Sequence, residues 1–274
     1  MHWMQTHPTC YPTDLTDEEW NQIKSLVPSP KSGKGRRGRP IKVDRRSLVN
    51  AIFYVVRSGC AWRLLPGDFC PWQTVYGYYR QWSQDWTWTF IHDTLRDWLR
   101  KTEGRNVAPT AAIVDSQSVK TPDQAGERGY DAGKKIKGRK RHLAVDSLGL
   151  ILGLMITSAA VQDRDAAKPL IKVLVELFGR LQIIWADGGY LGKLLQWVKQ
   201  LRPYGKLKLQ IVQRCDRVKG FRVLPKRWLV ERTFGWFSKS RRLCRDYEVR
   251  TDHSEAMIRI CMIRLMVRRL AQAA

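Results

Sequence analysis

Three acidic residues occur where an apolar segment meets basic or glycine-rich sequence: Asp115 in AAIVDSQSVK, Asp187 in IIWADGGY and Glu231 in PKRWLVERTFGW. Bringing them together is the tightest demand this chain places on its fold, because it decides which distant segments must become neighbours. The surroundings are cationic: 49 Lys and Arg stand against 25 Asp and Glu, a formal net charge of +24 at pH 7. Such a chain binds polyanions, and a carboxylate cluster within it calls for a cation. Divalent metal held against phosphate satisfies both, so the residues point to metal-dependent phosphoryl transfer on nucleic acid.

With 274 residues, 43% apolar content and 12 Trp, the chain can bury a sizeable core and is expected to divide into two unequal parts. The longest uncharged apolar run, Leu148 to Ala160, contains two glycines and is too short to cross a bilayer. Residues Met1 to Cys10 lack a basic-then-apolar signal pattern. The expectation is a soluble, cytoplasmic protein with no membrane partner. The six cysteines form no C-x-x-C pair, which argues against zinc and disulfide frameworks and for buried thiols.

The first hundred residues read as helical. Thr16 followed by Glu19 makes a capping box ahead of Trp20, Ile23 and Val27. The stretch from Ser29 to Pro40 is basic, glycine-rich and aperiodic, which predicts an arm or linker; its Arg36, Arg37 and Arg39 suit phosphates or a minor groove. A helix should run from about Asp44 to a stop at Gly59, and further helices from Thr74 and from Thr87 to Gly104. Short helices joined by turns in a basic context suggest helix-turn-helix DNA binding, although Tyr and Trp at helical spacing serve a core equally well.

From Pro109 the pattern changes to alternating strands and helices. Ala111 to Val114 should be a strand ending on Asp115; His142 to Val145 and Leu150 to Thr157 a hairpin; Ala166 to Phe178 a helix with Pro169 in its first turn. Leu181 to Ala186 should be a strand ending on Asp187, followed by a helix from Leu191 to Leu201 and a strand from Lys206 to Val212. A helix from Leu229 to Arg242 should carry Glu231. This order is the layout of an RNase H-like core, a mixed sheet flanked by helices. In such a sheet the first and fourth strands adjoin, so Asp115 and Asp187 can meet across 72 positions of sequence. On an ideal helix Arg227, Ser238 and Arg242 fall within about 40° of Glu231, forming one stripe of a metal ligand and guanidinium groups.

The segments IVDSQSVKTP, GYDAGKKIKGRKRHLAVDSLGLI, IIWADGGY and LPKRWLVERTFGWFSKSRRLCRDYE, in this order, strongly resemble bacterial insertion-sequence transposases of the DDE class. The resemblance is to the group named after insertion sequence five, related to the insertion sequence four transposases. It covers Pro109 to Glu248, and LTDEEWNQIKSLVP and SGCAWRLLPGDFCPWQTVYGYYRQW look like that group's N-terminal helical region. The resemblance gives Asp115, Asp187 and Glu231 the places of the catalytic, metal-holding triad, with Arg227 as the arginine preceding the glutamate. The broader signature Y-(2)-R-(3)-E-(6)-K is met at Arg227 and Glu231, whereas Leu224 and Ser238 hold the tyrosine and lysine positions. The resemblance further implies Mg²⁺, with Mn²⁺ able to substitute, and double-stranded DNA as partner: terminal inverted repeats and a target site. Ends would be nicked by water and the freed 3′-hydroxyls joined to target DNA. Paired ends require at least a homodimer on DNA. Two other readings stay open, an RNase H-fold nuclease and an inactive, transposase-derived DNA-binding protein.

Asp146 fits a hairpin turn, and Asp163 or Asp165 a helix N-cap, so these acids read as structural. Six of the eight residues from Lys134 to Arg141 are basic (Lys134, Lys135, Lys137, Arg139, Lys140 and Arg141), which predicts a DNA-contacting loop beside the site. Arg242 joins these as a DNA contact. A last helix should start from a capping box at Asp252 and Glu255. The expected division is a helical, DNA-binding N-terminal domain over 1–105 with its basic arm at 29–40, a catalytic domain over 106–250, and a C-terminal helix over 251–274 packing on the core.

Overall fold

The computed structural model describes residues 11–29, 43–123, 126–202, 207–212 and 226–273. Arg36, Arg37 and Arg39 of the basic arm lie outside the described residues. The chain divides into two compact units, one comprising Met1–Thr102, Ser240–Leu243 and Ala256–Ala274, the other Glu103–Lys239 and Cys244–Glu255. Among the described residues no helix is long and apolar enough to cross a membrane.

The first unit is helical. Helix α1 (Asp17–Ile23) opens on the predicted capping box, with the Glu19 amide donating to Thr16 Oγ1 and the Thr16 amide to Glu19 Oε2, both at 3.2 Å. Helix α2 (Arg45–Ser58) is capped by Asp44 and closed by Gly59 in the left-handed conformation, and it buries Leu48, Ile52, Val55 and Val56. Helices α3 (Trp72–Gln84) and α4 (Thr87–Thr102) follow, burying Tyr79, Trp82, Trp88, Ile91 and Leu95. Tyr79, Trp82 and Trp88 thus form core, Trp82 meeting Trp88 edge to face at 5.2 Å, whereas Trp86, Phe90 and Trp98 are exposed.

The second unit is the mixed sheet. Its strands are β1 (Ala111–Lys120), β2 (Gly129–Asp131), β3 (Ile136–Val145) and β4 (Ile151–Ser158); after helix α5 (Asp163–Leu177) come β5 (Ile183–Ala186), helix α6 (Lys193–Leu201) and β6 (Lys208–Ile211). Helix α7 (Trp228–Ser238) and helix α8 (Thr251–Ala273) complete the chain, α8 giving its first residues to this unit and the remainder to the helical one. Reading across the sheet, β4 pairs with β3, β3 with β1, β1 with β5 and β5 with β6; the first two pairings are antiparallel and the last two parallel. This is the RNase H-like order. The short β2 extends the β4 side of β3. One face buries Ala112, Val114, Ala144 and Leu152 against Leu170, Ile171 and Leu174 of α5 and Leu194 and Val198 of α6.

Several boundaries differ from expectation. Strand β1 does not end on Asp115 but continues to Lys120, because its antiparallel register with β3 persists from Ile113 opposite Val145 to Lys120 opposite Gly138. That pairing converts most of the predicted basic loop into strand: Ile136 to Arg141 belong to β3, and Arg139, Lys140 and Arg141 are buried. Helix α5 starts at Asp163, so Pro169 lies in its interior rather than its first turn, and Gln162 occupies the N-cap position. Helix α7 stops at Ser238, and Arg242 sits in a separate 3-10 turn (Arg241–Leu243), its guanidinium 3.5 Å from the Cys60 carbonyl. Arg242 is therefore not part of the Glu231 stripe. Asp252 lies in the first turn of α8 with its carboxylate on Arg250 instead of capping that helix. Cys60, Cys70 and Cys261 are partly buried and Cys244 is exposed, against the expectation of buried thiols, while Cys10 and Cys215 lie outside the described residues.

Candidate active site

Strand register does most of the work of assembling the acids. Ile113 of β1 lies opposite Trp185 of β5 in parallel, so two residues further on Asp115 and Asp187 stand side by side just past the end of that pairing, where β5 stops and β1 continues against β3 alone. Beyond that point β5 gives way to a short 3-10 turn, Gly188–Tyr190. Asp187 caps that turn: its Oδ1 accepts the Gly189 amide at 2.9 Å. A Cβ at Gly189 would stand 3.0 Å from the same oxygen, so the residue has to be small for the aspartate to take this seat. Asp115 is held alike, its Oδ1 accepting the Ser116 amide at 2.7 Å.

Helix α7 brings the third acid. It is tied to the β3–β4 turn, where the Thr233 hydroxyl donates to the Gly149 carbonyl and the Arg232 guanidinium to the Leu148 carbonyl, both at 2.8 Å. Gly149 has φ +79°, and Thr233 Oγ1 would lie 2.9 Å from any Cβ there, so both its backbone conformation and its close approach to α7 call for glycine. Asp146 is structural, as expected: its Oδ1 accepts the amides of Leu148 and Leu150 and so shapes the turn on which α7 docks.

The three carboxylates converge on one guanidinium. Arg227 Nη2 lies 3.3 Å from Glu231 Oε1, 3.8 Å from Asp187 Oδ2 and 3.9 Å from Asp115 Oδ2. Each aspartate thus spends one oxygen on a backbone amide and turns the other to the shared centre. Three negative charges face one positive charge, leaving a local excess of about two that a divalent cation would balance. The donors are all carboxylate oxygens, the type preferred by Mg²⁺ and Mn²⁺. Among the described residues no three such groups are gathered closely enough to chelate an ion as they stand, and Arg227 occupies the point at which they converge. Burial pushes the Asp115 carboxyl up to about 6; the Ser116 amide opposes the rise, the Asp187 charge adds to it, and Arg227 and Lys134 oppose it.

The opposite face of β1 joins residues read otherwise from the sequence, Asp163, Lys134 and Lys140, to Ser116 and Tyr190, which sequence reasoning did not single out. Ser116 Oγ donates to Asp163 Oδ1 at 2.9 Å, Lys140 Nζ lies 3.2 Å from the same oxygen, and Lys134 Nζ donates to the Ser116 carbonyl at 3.2 Å. The Tyr190 hydroxyl is buried near Ser116 without closing a hydrogen bond of good geometry, and burial raises its pKa. Asp163, expected as an N-cap, therefore serves a tertiary contact. The one signal available was its position shortly after the predicted β4.

The basic run divides in two. Lys134, Lys135 and Lys137 are exposed. Arg139 has no accessible surface and donates to the carbonyls of Glu127, Glu248 and Val249 and to Ser254 Oγ. Lys140 bonds the Val161 carbonyl, and Arg141 bonds Gln117. The expectation that Arg139, Lys140 and Arg141 lie on a DNA-facing loop is corrected: strand pairing draws them inward to internal acceptors.

Residues 108–266, more than half of the chain, match the family model described as "Transposase DDE domain", and residues 15–92 match "Putative transposase of IS4/5 family". Two relatives come from the insertion element IS402 of Burkholderia cepacia. One, named an uncharacterized 16.2 kDa protein, is 29% identical over 44% of this chain and 78% of its own length. The other, named a putative transposase for that element, is 29% identical over 55% of this chain and 72% of its own. The uncharacterized protein y4sN of Sinorhizobium fredii is 32% identical over 26% of this chain and 53% of its own length. An RNase H-like sheet, three acids gathered across it and a family model spanning them agree, and the chain belongs to the DDE transposases of the IS4/5 family.

Proposed function

We propose that this protein binds the terminal inverted repeats of its own insertion sequence, nicks the ends and joins the freed 3′-hydroxyls to target DNA by Mg²⁺-dependent transesterification. The observation that carries this reading is the convergence of Asp115, Asp187 and Glu231 on Arg227 within the segment matching the DDE domain. The three carboxylates would hold Mg²⁺, or Mn²⁺ in its place, which when bound activates the entering oxygen and steadies the leaving one. Arg227 is placed to turn from the acids to a phosphate oxygen, for which a guanidinium is well shaped. Lys134, Lys135 and Lys137, together with the arm carrying Arg36, Arg37 and Arg39, supply phosphate-backbone contacts, and the helical unit takes part in end recognition. Because one chain has one triad and an element has two ends, the active complex is at least a dimer on DNA.

The test is incubation of purified protein with DNA carrying its own flanking ends, a target plasmid and Mg²⁺. Cleaved ends and strand-joined products are expected, in a complex whose mass by light scattering includes at least two chains. Asp115→Asn, Asp187→Asn and Glu231→Gln should each abolish both products while leaving end binding nearly intact, and Asp146→Asn should cleave. Cleavage without joining would instead identify a nuclease. Binding with neither product would identify a DNA-binding protein derived from a transposase.

A further inference from the structure

On the α5 side of the sheet, directly behind Asp115, Ser116 is gripped at three atoms. Its amide donates to Asp115 Oδ1 at 2.7 Å, its hydroxyl to Asp163 Oδ1 at 2.9 Å, and its carbonyl accepts from Lys134 Nζ at 3.2 Å. Asp163 is itself steadied by Lys140, whose ammonium also bonds the Val161 carbonyl at 2.9 Å. Ser116 is 7% exposed and Lys140 likewise 7%, so the Ser116 hydroxyl and the Lys140 ammonium are largely shielded from competing water, whereas Lys134 reaches the Ser116 carbonyl from the surface. Asp187 is reached from the same place: the Tyr190 amide donates to the Asp187 carbonyl at 3.2 Å, and the buried Tyr190 hydroxyl lies beside Ser116. A shift of Ser116 therefore moves the amide that orients the Asp115 carboxylate and disturbs the packing behind Asp187.

We infer that Ser116 and Asp163 are positioning residues that fix the Asp115 carboxylate for metal binding, with Lys140 and Tyr190 bracing them from behind. The inference rests on the proposed role of Asp115 as a metal ligand. Supports of this kind matter because a ligand held in a single rotamer loses little freedom on binding, and their loss weakens metal affinity or activity by about 10- to 100-fold. The same strand supplies a built-in comparison: two residues further along, Ser118 donates to Asp131 Oδ2 at 2.5 Å, a bond of the same chemistry that touches no member of the triad.

The experiment uses the full-length protein. Ser116→Ala removes one hydroxyl and no charge; it should lower the end-cleavage rate at saturating DNA by about tenfold or more, leave end affinity unchanged and weaken Mn²⁺ binding measured by calorimetry. Ser116→Thr, which keeps the hydroxyl, should restore much of the rate. Asp163→Asn should behave like Ser116→Ala, and the double variant should be no worse than the poorer single one, since both break the same bond. Ser118→Ala should melt at lower temperature yet cleave normally per folded molecule. Wild-type cleavage with wild-type Mn²⁺ affinity in Ser116→Ala would overturn the inference, as would an equal loss of rate in Ser118→Ala. Asp115→Asn, assayed alongside, separates the failures: cleavage retained there overturns the role of the acid and its support together, whereas cleavage lost there but normal in Ser116→Ala overturns the support alone.

Discussion

Arg139 and Arg227 both sit among acceptors in the sheet unit, but they are held in opposite ways. Arg139 has no accessible surface, donates to three carbonyls and a hydroxyl at 2.6 to 3.0 Å, and has Asp246 3.4 Å away. Arg227 remains 22% exposed and, among the described residues, makes one hydrogen bond, at 3.3 Å to Glu231, with two further carboxylates at 3.8 and 3.9 Å. An arginine whose donors are met by neutral acceptors is a brace, because each bond fixes its direction and little charge is left over. One facing more negative charge than it can neutralise marks a site that has room for another cation. The contrast separates structural from functional arginines where residue type and local charge do not.

The widest separation between the two should appear in stability. Arg139→Met leaves three carbonyls without their donor and the buried Asp246 without its counter-charge, and should cost about 3 to 5 kcal/mol in denaturant unfolding. Arg227→Gln should cost about 1 kcal/mol or less, since its contacts are long and partly solvated, while abolishing cleavage. Equal unfolding midpoints for the two variants would erase the distinction.

A smaller effect sharpens the electrostatic side. Asp115 titrates at about 6 in the folded protein, above the ordinary value of 3.8, so the folded chain holds that proton more tightly than the unfolded one. Its contribution favours folding below pH ~4 and is lost as pH rises through about 6. Without divalent metal, wild type should therefore lose up to about 3 kcal/mol relative to Asp115→Asn between pH 4 and 7. Parallel stability curves for the two proteins over that range would contradict the burial of this carboxylate.

The smallest effect concerns the divided basic run. Replacing Lys134, Lys135 and Lys137 by Gln together should flatten the dependence of log K on log salt by about 0.9 per phosphate contact removed, with the melting temperature nearly unchanged. An unchanged slope would place these three in solvent rather than on DNA.

How far the sequence could be read differs between the two arginines. Arg227 was legible because its place follows from spacing along one helix: four residues before Glu231 puts both on one side of α7 whatever that helix packs against. Arg139 was not. Its run has the composition of a solvated loop, and only the pairing of β1 with β3, eight residues from Ile113 to Lys120 opposite Val145 to Gly138, makes it strand, with Glu127, Glu248, Val249 and Ser254 arriving from outside the run to satisfy it. The bond of Ser116 to Asp163, an acid read only as a candidate helix cap, escaped for the same reason, since 47 positions separate them and no periodicity links them.

What the sequence determined alone was therefore local or chemical in kind. Apolar runs ending on Asp115 and Asp187, the capping box at Thr16 and Glu19, the hairpin turn at Asp146 and the cationic balance all follow from residue type and spacing, which act over a few residues. Tertiary structure decided which of these groups meet. The parallel register of β1 with β5 sets Asp115 beside Asp187, the β3–β4 turn holds α7 so that Glu231 faces them, and strand pairing turns three basic residues inward while leaving three outside. The physical reason is that a charge acquires its role from the acceptors around it, and those acceptors come from segments that only folding makes neighbours.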